Sequence, residues 1–152
     1  MEDSQTLSQS LKQAGLRLTP QRIAICDLLA NSHAHPSAQM VFEQLAPDFP
    51  SLSLTTVYNT LETLVELGLV NELGSVGDSG VRYDADTEPH INLACTNCGI
   101  VIDLPSEHLH EHLTHIEDDV AQQSGYALLG RRVLYYGLCQ DCQKLQAKSI
   151  EN

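Results

Sequence analysis

The chain is poor in positive charge. Eight Lys and Arg stand against twenty Asp and Glu, a formal net charge of −12 over 152 residues. That balance excludes a protein that grips polyanions without selectivity, and any DNA-binding reading has to answer it. Long apolar runs are missing too. None approaches the ~20 residues of a membrane span, so no membrane partner is expected. The start, Met1-Glu2-Asp3-Ser4, has neither the basic nor the apolar region of a secretory signal, and the expected location is the cytoplasm. There is no internal repeat, no low-complexity tract and no H-E-x-x-H motif. A metallohydrolase would need an open site in a pocket with a general base, so the chain is not expected to be an enzyme.

What is present begins with cysteine. Cys95-Thr96-Asn97-Cys98-Gly99 and Cys139-Gln140-Asp141-Cys142 are two C-x-x-C pairs, the usual way to build a four-thiolate zinc site. Redox motifs or buried thiols are the alternatives, but a matched second pair is hard to explain that way. Unpaired thiolates that hold metal fit a reducing compartment. Cys26 is left over and reads as a small core hydrophobe.

In chain order, residues 4–14 form a short helix ended by Gly15. Thr19-Pro20 starts a second helix, with Thr at the N-cap and Pro at N1, and Ile23, Cys26, Leu29 and Ala30 as its apolar stripe. Pro36-Ser37 opens a third, with Val41, Phe42 and Leu45 inward. Ser53 caps a fourth over 54–67, with Leu54, Val57, Tyr58, Leu61, Leu64 and Val65 at helical spacing and Gly68 as its stop. Residues 69–73 and 81–84 read as a hairpin. This is a winged helix in residues 1–84, a module whose recognition helix enters the major groove. The exposed face expected for that helix carries Thr55, Thr56, Asn59 and Thr60, suited to base edges and phosphates or to plain solvation.

Residues 85–90 read as a linker. A second unit follows over 91–152: strands at 91–95 and 99–104, a helix over 107–123 capped by Ser106 with Leu109, Leu113, Ile116 and Val120 as its core stripe, a β-rich stretch over 126–138, and a polar tail, expected to fray, from Lys144. The fold class is α+β. His108, His112, His115 and Asp119 share one face of the long helix, either a solvated face or an auxiliary divalent site. His35, Asp84, His90 and Asp103 gather around the junction of the two halves in sequence. A mixed imidazole and carboxylate set suits a divalent first-row metal such as Fe²⁺, Mn²⁺ or Zn²⁺.

Gly15-Leu16-Arg17-Leu18-Thr19-Pro20-Gln21-Arg22, Ala34-His35-Pro36, Thr55-Thr56-Val57-Tyr58-Asn59-Thr60-Leu61, Gly68-Leu69-Val70 and the two cysteine pairs together resemble the ferric uptake regulator family over residues 10–143. The resemblance implies a homodimeric, metal-dependent repressor with an N-terminal winged helix and a C-terminal α/β dimerisation domain stapled by zinc. Its expected partner is double-stranded DNA carrying an AT-rich inverted repeat.

The match is strongest to the peroxide-sensing branch, where three His and two Asp hold the regulatory iron or manganese. His35, Asp84, His90 and Asp103 fall on four of those positions. The fifth is Asn92, with Asp86 or Glu88 as other groups able to complete the shell. Asp at 103 matches peroxide sensors, whereas iron-uptake regulators usually carry Glu. Tyr58-Asn59-Thr60 also matches that branch. His35 and His90 correspond to the histidines such sensors oxidise, and Arg17 and Arg22 to residues that reach the DNA backbone or minor groove. A metal-availability regulator without peroxide sensing is the alternative, and a zinc-stapled interaction module that has lost DNA binding stands behind it.

Overall fold

The computed structural model describes residues 3–75, 80–104 and 107–150. The chain opens with four helices, α1 (Ser4–Gln13), α2 (Pro20–Asn31), α3 (Ala38–Leu45) and α4 (Leu54–Glu66). Each begins where a side chain can accept from an otherwise orphaned backbone N–H: Asp3, Thr19, Ser37 and Ser53 do so for the amides of Thr6, Arg22, Met40 and Thr56. After α4 the chain turns at Gly68, whose φ of +71° is left-handed. Its N–H reaches the Val65 carbonyl and that of Leu69 the Leu64 carbonyl, closing the helix end. Then β1 (Asn71–Leu73) pairs antiparallel with β2 (Arg82–Asp84), the wing.

The four helices and the wing share one core. Leu7, Leu11, Ile25, Cys26, Leu29, Val41, Val57, Leu61, Leu64 and Val70 are all buried there, with Tyr83 from the wing. On α2 the inward residue is Ile25, whereas Ile23, expected inside, is exposed.

The second half holds β3 (Ile91–Cys95), β4 (Val101–Leu104), α5 (Glu107–Ser124), β5 (Val133–Gly137) and α6 (Gln140–Ile150). Its sheet has the order β4-β3-β5. β3 and β4 are antiparallel neighbours, with Asn92 opposite Asp103. β5 lies parallel to β3, with Cys95 opposite Gly137. A parallel pair needs a long crossover, and α5 supplies it.

Three expectations change here. The β-rich stretch narrows to five residues, because 126–132 do not pair. The tail from Lys144, expected to fray, continues as α6. The stripe on α5 is not a core within the protomer: Ile116 is 57% exposed, and Leu109 and Val120 are exposed as well. Among the described residues the buried cluster of this half is small, Leu73, Ala94 and Val101 with Leu134 against them, and Leu73 comes from the wing. A core that small needs a staple or a partner. Ser106 and the middle of the wing loop, 76–79, lie outside the described residues.

Candidate functional site

Five side chains meet between the two halves. His35 sits just before α3 with φ +47°, in the left-handed region that disfavours a side chain. Asp84 ends β2, His90 precedes β3, Asn92 is in β3 and Asp103 in β4. His35 Nε2 lies 2.9 Å from Asp103 Oδ1 and 3.5 Å from Asp84 Oδ2. His90 Nε2 lies 2.9 Å from Asp84 Oδ2 and 3.3 Å from Asp103 Oδ1. Ligand atoms of these four all fall within 4.8 Å of one another.

Asn92 closes the ring. Its Nδ2 lies 2.9 Å from both Asp103 Oδ1 and His90 Nε2, and 3.3 Å from His35 Nε2. A half-turn of the carboxamide places Oδ1, an acceptor, where Nδ2 stands. Asp86 and Glu88, the other groups considered for the shell, are outside the cluster. Glu88 is exposed, and an Asp86 carboxylate oxygen accepts the Glu88 amide at 3.2 Å.

Burial disfavours the charged forms of His35 and Asp84. Their mutual hydrogen bond and the opposite charges around them outweigh it. His35 is thus raised above the usual histidine value, and Asp84 is held below the usual carboxylate value. The donor set fits a divalent cation. Asp84 Oδ2 is buried and faces the Nε2 atoms of both histidines, the aspect a shared cation would take. His90 Nδ1 donates to the Glu88 carbonyl at 2.7 Å, which leaves the Nε2 lone pair facing the cluster.

Cys95, Cys98, Cys139 and Cys142 form the second cluster, also within 4.8 Å. Cys98 Sγ and Cys139 Sγ are 3.8 Å apart. A zinc tetrahedron with bonds of about 2.3 Å has sulfur–sulfur edges of about 3.8 Å, and a disulfide would need about 2 Å. The Cys139 amide donates to Cys95 Sγ at 3.3 Å, and with the Cys98 amide pulls that thiol down to about 6. Asn97 Nδ2 donates to Cys142 Sγ at 3.2 Å and favours its thiolate. The crowding of the other three sulfurs, together with burial, prevails and pushes Cys142 up to about 12. A cation bound by these sulfurs would release the protons of whichever thiols carry them.

The exposed face of α4 carries Thr55, Tyr58 and Asn59. Thr60, expected beside them, is fully buried and donates to the Thr56 carbonyl at 2.7 Å. Seven residues past the N-cap Ser53, the helical turn has carried it round to the core side. Thr56 is half-buried, its hydroxyl 2.9 Å from Ser53 Oγ. Arg17 is exposed. Arg22 is half-buried, and its Nη1 donates to the Arg17 carbonyl at 2.7 Å, bracing the turn before α2.

The ferric uptake regulator family model matches residues 13–136. The chain belongs to that family. It is 40% identical over 134 residues to the peroxide-responsive repressor PerR of Staphylococcus aureus, covering 88% of this chain and 87% of the relative. It is also similar to the crystal structure of the Campylobacter jejuni peroxide stress regulator, at 31% identity and a TM-score of 0.67, over 93% of this chain and 100% of that one. The Helicobacter pylori ferric uptake regulator shares the fold, with a TM-score of 0.75 at 22% identity over 93% and 95% of the two chains. Within this α+β fold of the family, an N-terminal winged helix precedes a small α/β unit.

Sequence reasoning missed two members of the site region. Arg82 looked like an ordinary wing residue, yet it is buried. Asn97 appeared only as a spacer between cysteines. The His-rich face of α5 forms no ligand cluster among the described residues, and His112, His115 and Asp119 are exposed.

Proposed function

We propose that the chain is a metal-dependent repressor that binds duplex DNA as a homodimer and responds to hydrogen peroxide at the His35, Asp84, His90, Asn92 and Asp103 cluster. The observation that carries this reading is the meeting of ligands from both halves, His35 and Asp84 from one, His90, Asn92 and Asp103 from the other, in a chain whose relatives include peroxide-responsive repressors. A divalent cation bound there ties residues 1–84, the winged helix, to residues 91–152, the dimerisation unit, across the linker 85–90. It also offsets the repulsion of Asp84 and Asp103 and fixes the angle at which two recognition helices are presented. Cys95, Cys98, Cys139 and Cys142 hold a structural zinc, with all four positions taken by protein.

Dimerisation is supported by the apolar surface of the second half, where Ile116, Val120, Tyr135 and Tyr136 face solvent. The proposed DNA contacts are Arg17, Arg22, Thr55, Thr56, Tyr58 and Asn59. No helix of the described residues is long and apolar enough to cross a membrane, and unpaired thiolates fit the cytoplasm.

Iron held by His35, Asp84, His90, Asn92 and Asp103 would activate hydrogen peroxide beside the two imidazoles. In the net step one oxygen of H₂O₂ would bond to C2 of the His35 or His90 imidazole, the C2 hydrogen would move to a ring nitrogen, and the other oxygen would leave as water, the ring giving up the two electrons that reduce the peroxide. The resulting 2-oxo-histidine carries amide-like nitrogens with little lone-pair donor strength. The link from His35 to Asp103 is then lost, and the winged helix is released from its place.

The test is peptide mass spectrometry on zinc-loaded protein reconstituted with Fe²⁺ or with Mn²⁺ and briefly exposed to low peroxide. A one-oxygen gain on the His35 or His90 peptide with iron alone is the expected result. No gain, with metal and thiols intact, favours the second reading, a metal-availability regulator. Asn92 is the observation on that side, because an amide oxygen is a harder and weaker donor than imidazole.

A further inference from the structure

Arg82 is a buried cation that belongs to neither cluster and touches the surroundings of both. It is 7% exposed. Nη2 donates to the Gly99 carbonyl at 2.6 Å. Nη1 donates to the His35 carbonyl at 3.3 Å and lies 3.0 Å from Met40 Sδ. Among the described residues no carboxylate pairs with it, Nε has no hydrogen-bond partner, and burial lowers its pKa from the usual arginine value. A guanidinium buried without an acid is a poor source of stability. What it supplies is geometry, since its rigid fork joins two carbonyls that lie far apart in the chain.

Those carbonyls are informative. Gly99 follows Cys98 and closes the cysteine turn, its N–H donating to the Cys95 carbonyl at 2.9 Å. His35 is a metal-site residue held at φ +47°, a conformation that persists only where neighbours enforce it. Arg82 holds its carbonyl, and the Tyr83 amide holds the next one, Pro36, at 3.0 Å. Asp84 stands two residues along the same strand.

We propose that Arg82 is a positioning residue through which the Cys95–Gly99 turn fixes His35 and Asp84, so that the state of the four-cysteine site is felt at the His/Asp site. The proposal rests on the reading of both clusters as metal sites.

The test uses full-length, zinc-loaded protein with Arg82→Met, similar in length without donors, and Arg82→Lys, which can reach one carbonyl. Three readouts are taken: zinc per protomer, the Mn²⁺ dissociation constant by electron paramagnetic resonance titration, and amide hydrogen exchange at 96–99 with and without Mn²⁺. In the parent protein, Mn²⁺ should slow exchange in the turn. Arg82→Met should keep its zinc, weaken Mn²⁺ binding at least ~tenfold, as losses around metal ligands do, and abolish the Mn²⁺-dependent slowing. Arg82→Lys should fall between. Zinc-bound Arg82→Met with Mn²⁺ affinity within about twofold of the parent, or with the slowing intact, overturns the proposal. Should Arg82→Met fail to fold, parent-like behaviour of Arg82→Lys on both readouts does so instead. A parent protein that takes up zinc but neither Mn²⁺ nor Fe²⁺ sinks the reading of the His/Asp site itself, and the proposal with it.

Discussion

The scarcity of cations on the winged helix makes the salt dependence of DNA binding a sharp quantity. Residues 1–84 contain four basic side chains, Lys12, Arg17, Arg22 and Arg82. Arg82 is buried, and Arg22 is half-buried with Nη1 already on a carbonyl. Two or three cations per protomer remain for phosphate, so a dimer neutralises about four to six. Counterion release then gives a slope of log K against log salt of about −4 to −5. Affinity should fall by roughly two to three orders of magnitude between 50 and 200 mM salt. Each Arg17→Ala dimer loses two contacts, and its slope should be shallower by about 2. The assay is fluorescence anisotropy at saturating Mn²⁺, on a duplex the protein has selected from a random pool. A slope steeper than about −7, or an Arg17→Ala slope equal to that of the parent, would refute the reasoning. It would mean that phosphate is met by cations other than those of the winged helix.

Further outcomes are expected at three positions. Leu61→Ala empties a fully buried position in the first core and should cost ~2–5 kcal/mol, read by urea unfolding at fixed zinc and protein concentration. Cys26 is raised by burial from 9.0 to about 11. The folded state keeps a proton that the unfolded chain releases, so stability should decline as pH rises from 9 towards 11, and Cys26→Ser should flatten that decline. At pH 8 the same thiol should resist iodoacetamide in folded protein, and labelling without unfolding would contradict its buried place. Asn92→His should tighten Mn²⁺ and Fe²⁺ binding in calorimetric titration and raise the yield of oxidised histidine; unchanged affinity would show that Asn92 stands outside the ligand shell.

Much of the fold was legible because its signals are local. A cap at Ser53, apolar residues three and four apart from Leu54 to Val65, and a stop at Gly68 specify α4 within one stretch of chain. The two C-x-x-C turns carry their chemistry in their spacing. The face of α4 was legible only in part. Thr60 has the same hydroxyl as Thr55, and residue type did not separate the exposed one from the buried one; the signal was spacing, since Thr60 shares the i, i+3, i+4, i+7 stripe of Val57, Leu61 and Leu64. The stripe on α5 was rightly seen as apolar and wrongly placed inside the protomer, since hydropathy records what should leave water but not which surface covers it.

The sequence by itself determined the helices and most strands, the donor types of both clusters, and the division into a winged helix and a smaller sheet. These follow from hydrogen bonds and periodicities that span a few residues. Tertiary structure alone decided that Asn92, not Asp86 or Glu88, faces the two histidines. It laid β5 parallel to β3, and it buried Arg82 between the cysteine turn and His35. Each of these joins residues distant in the chain, as with the 57 positions between His35 and Asn92. No local pattern encodes such a meeting, because only the packing of the two halves brings those atoms within reach.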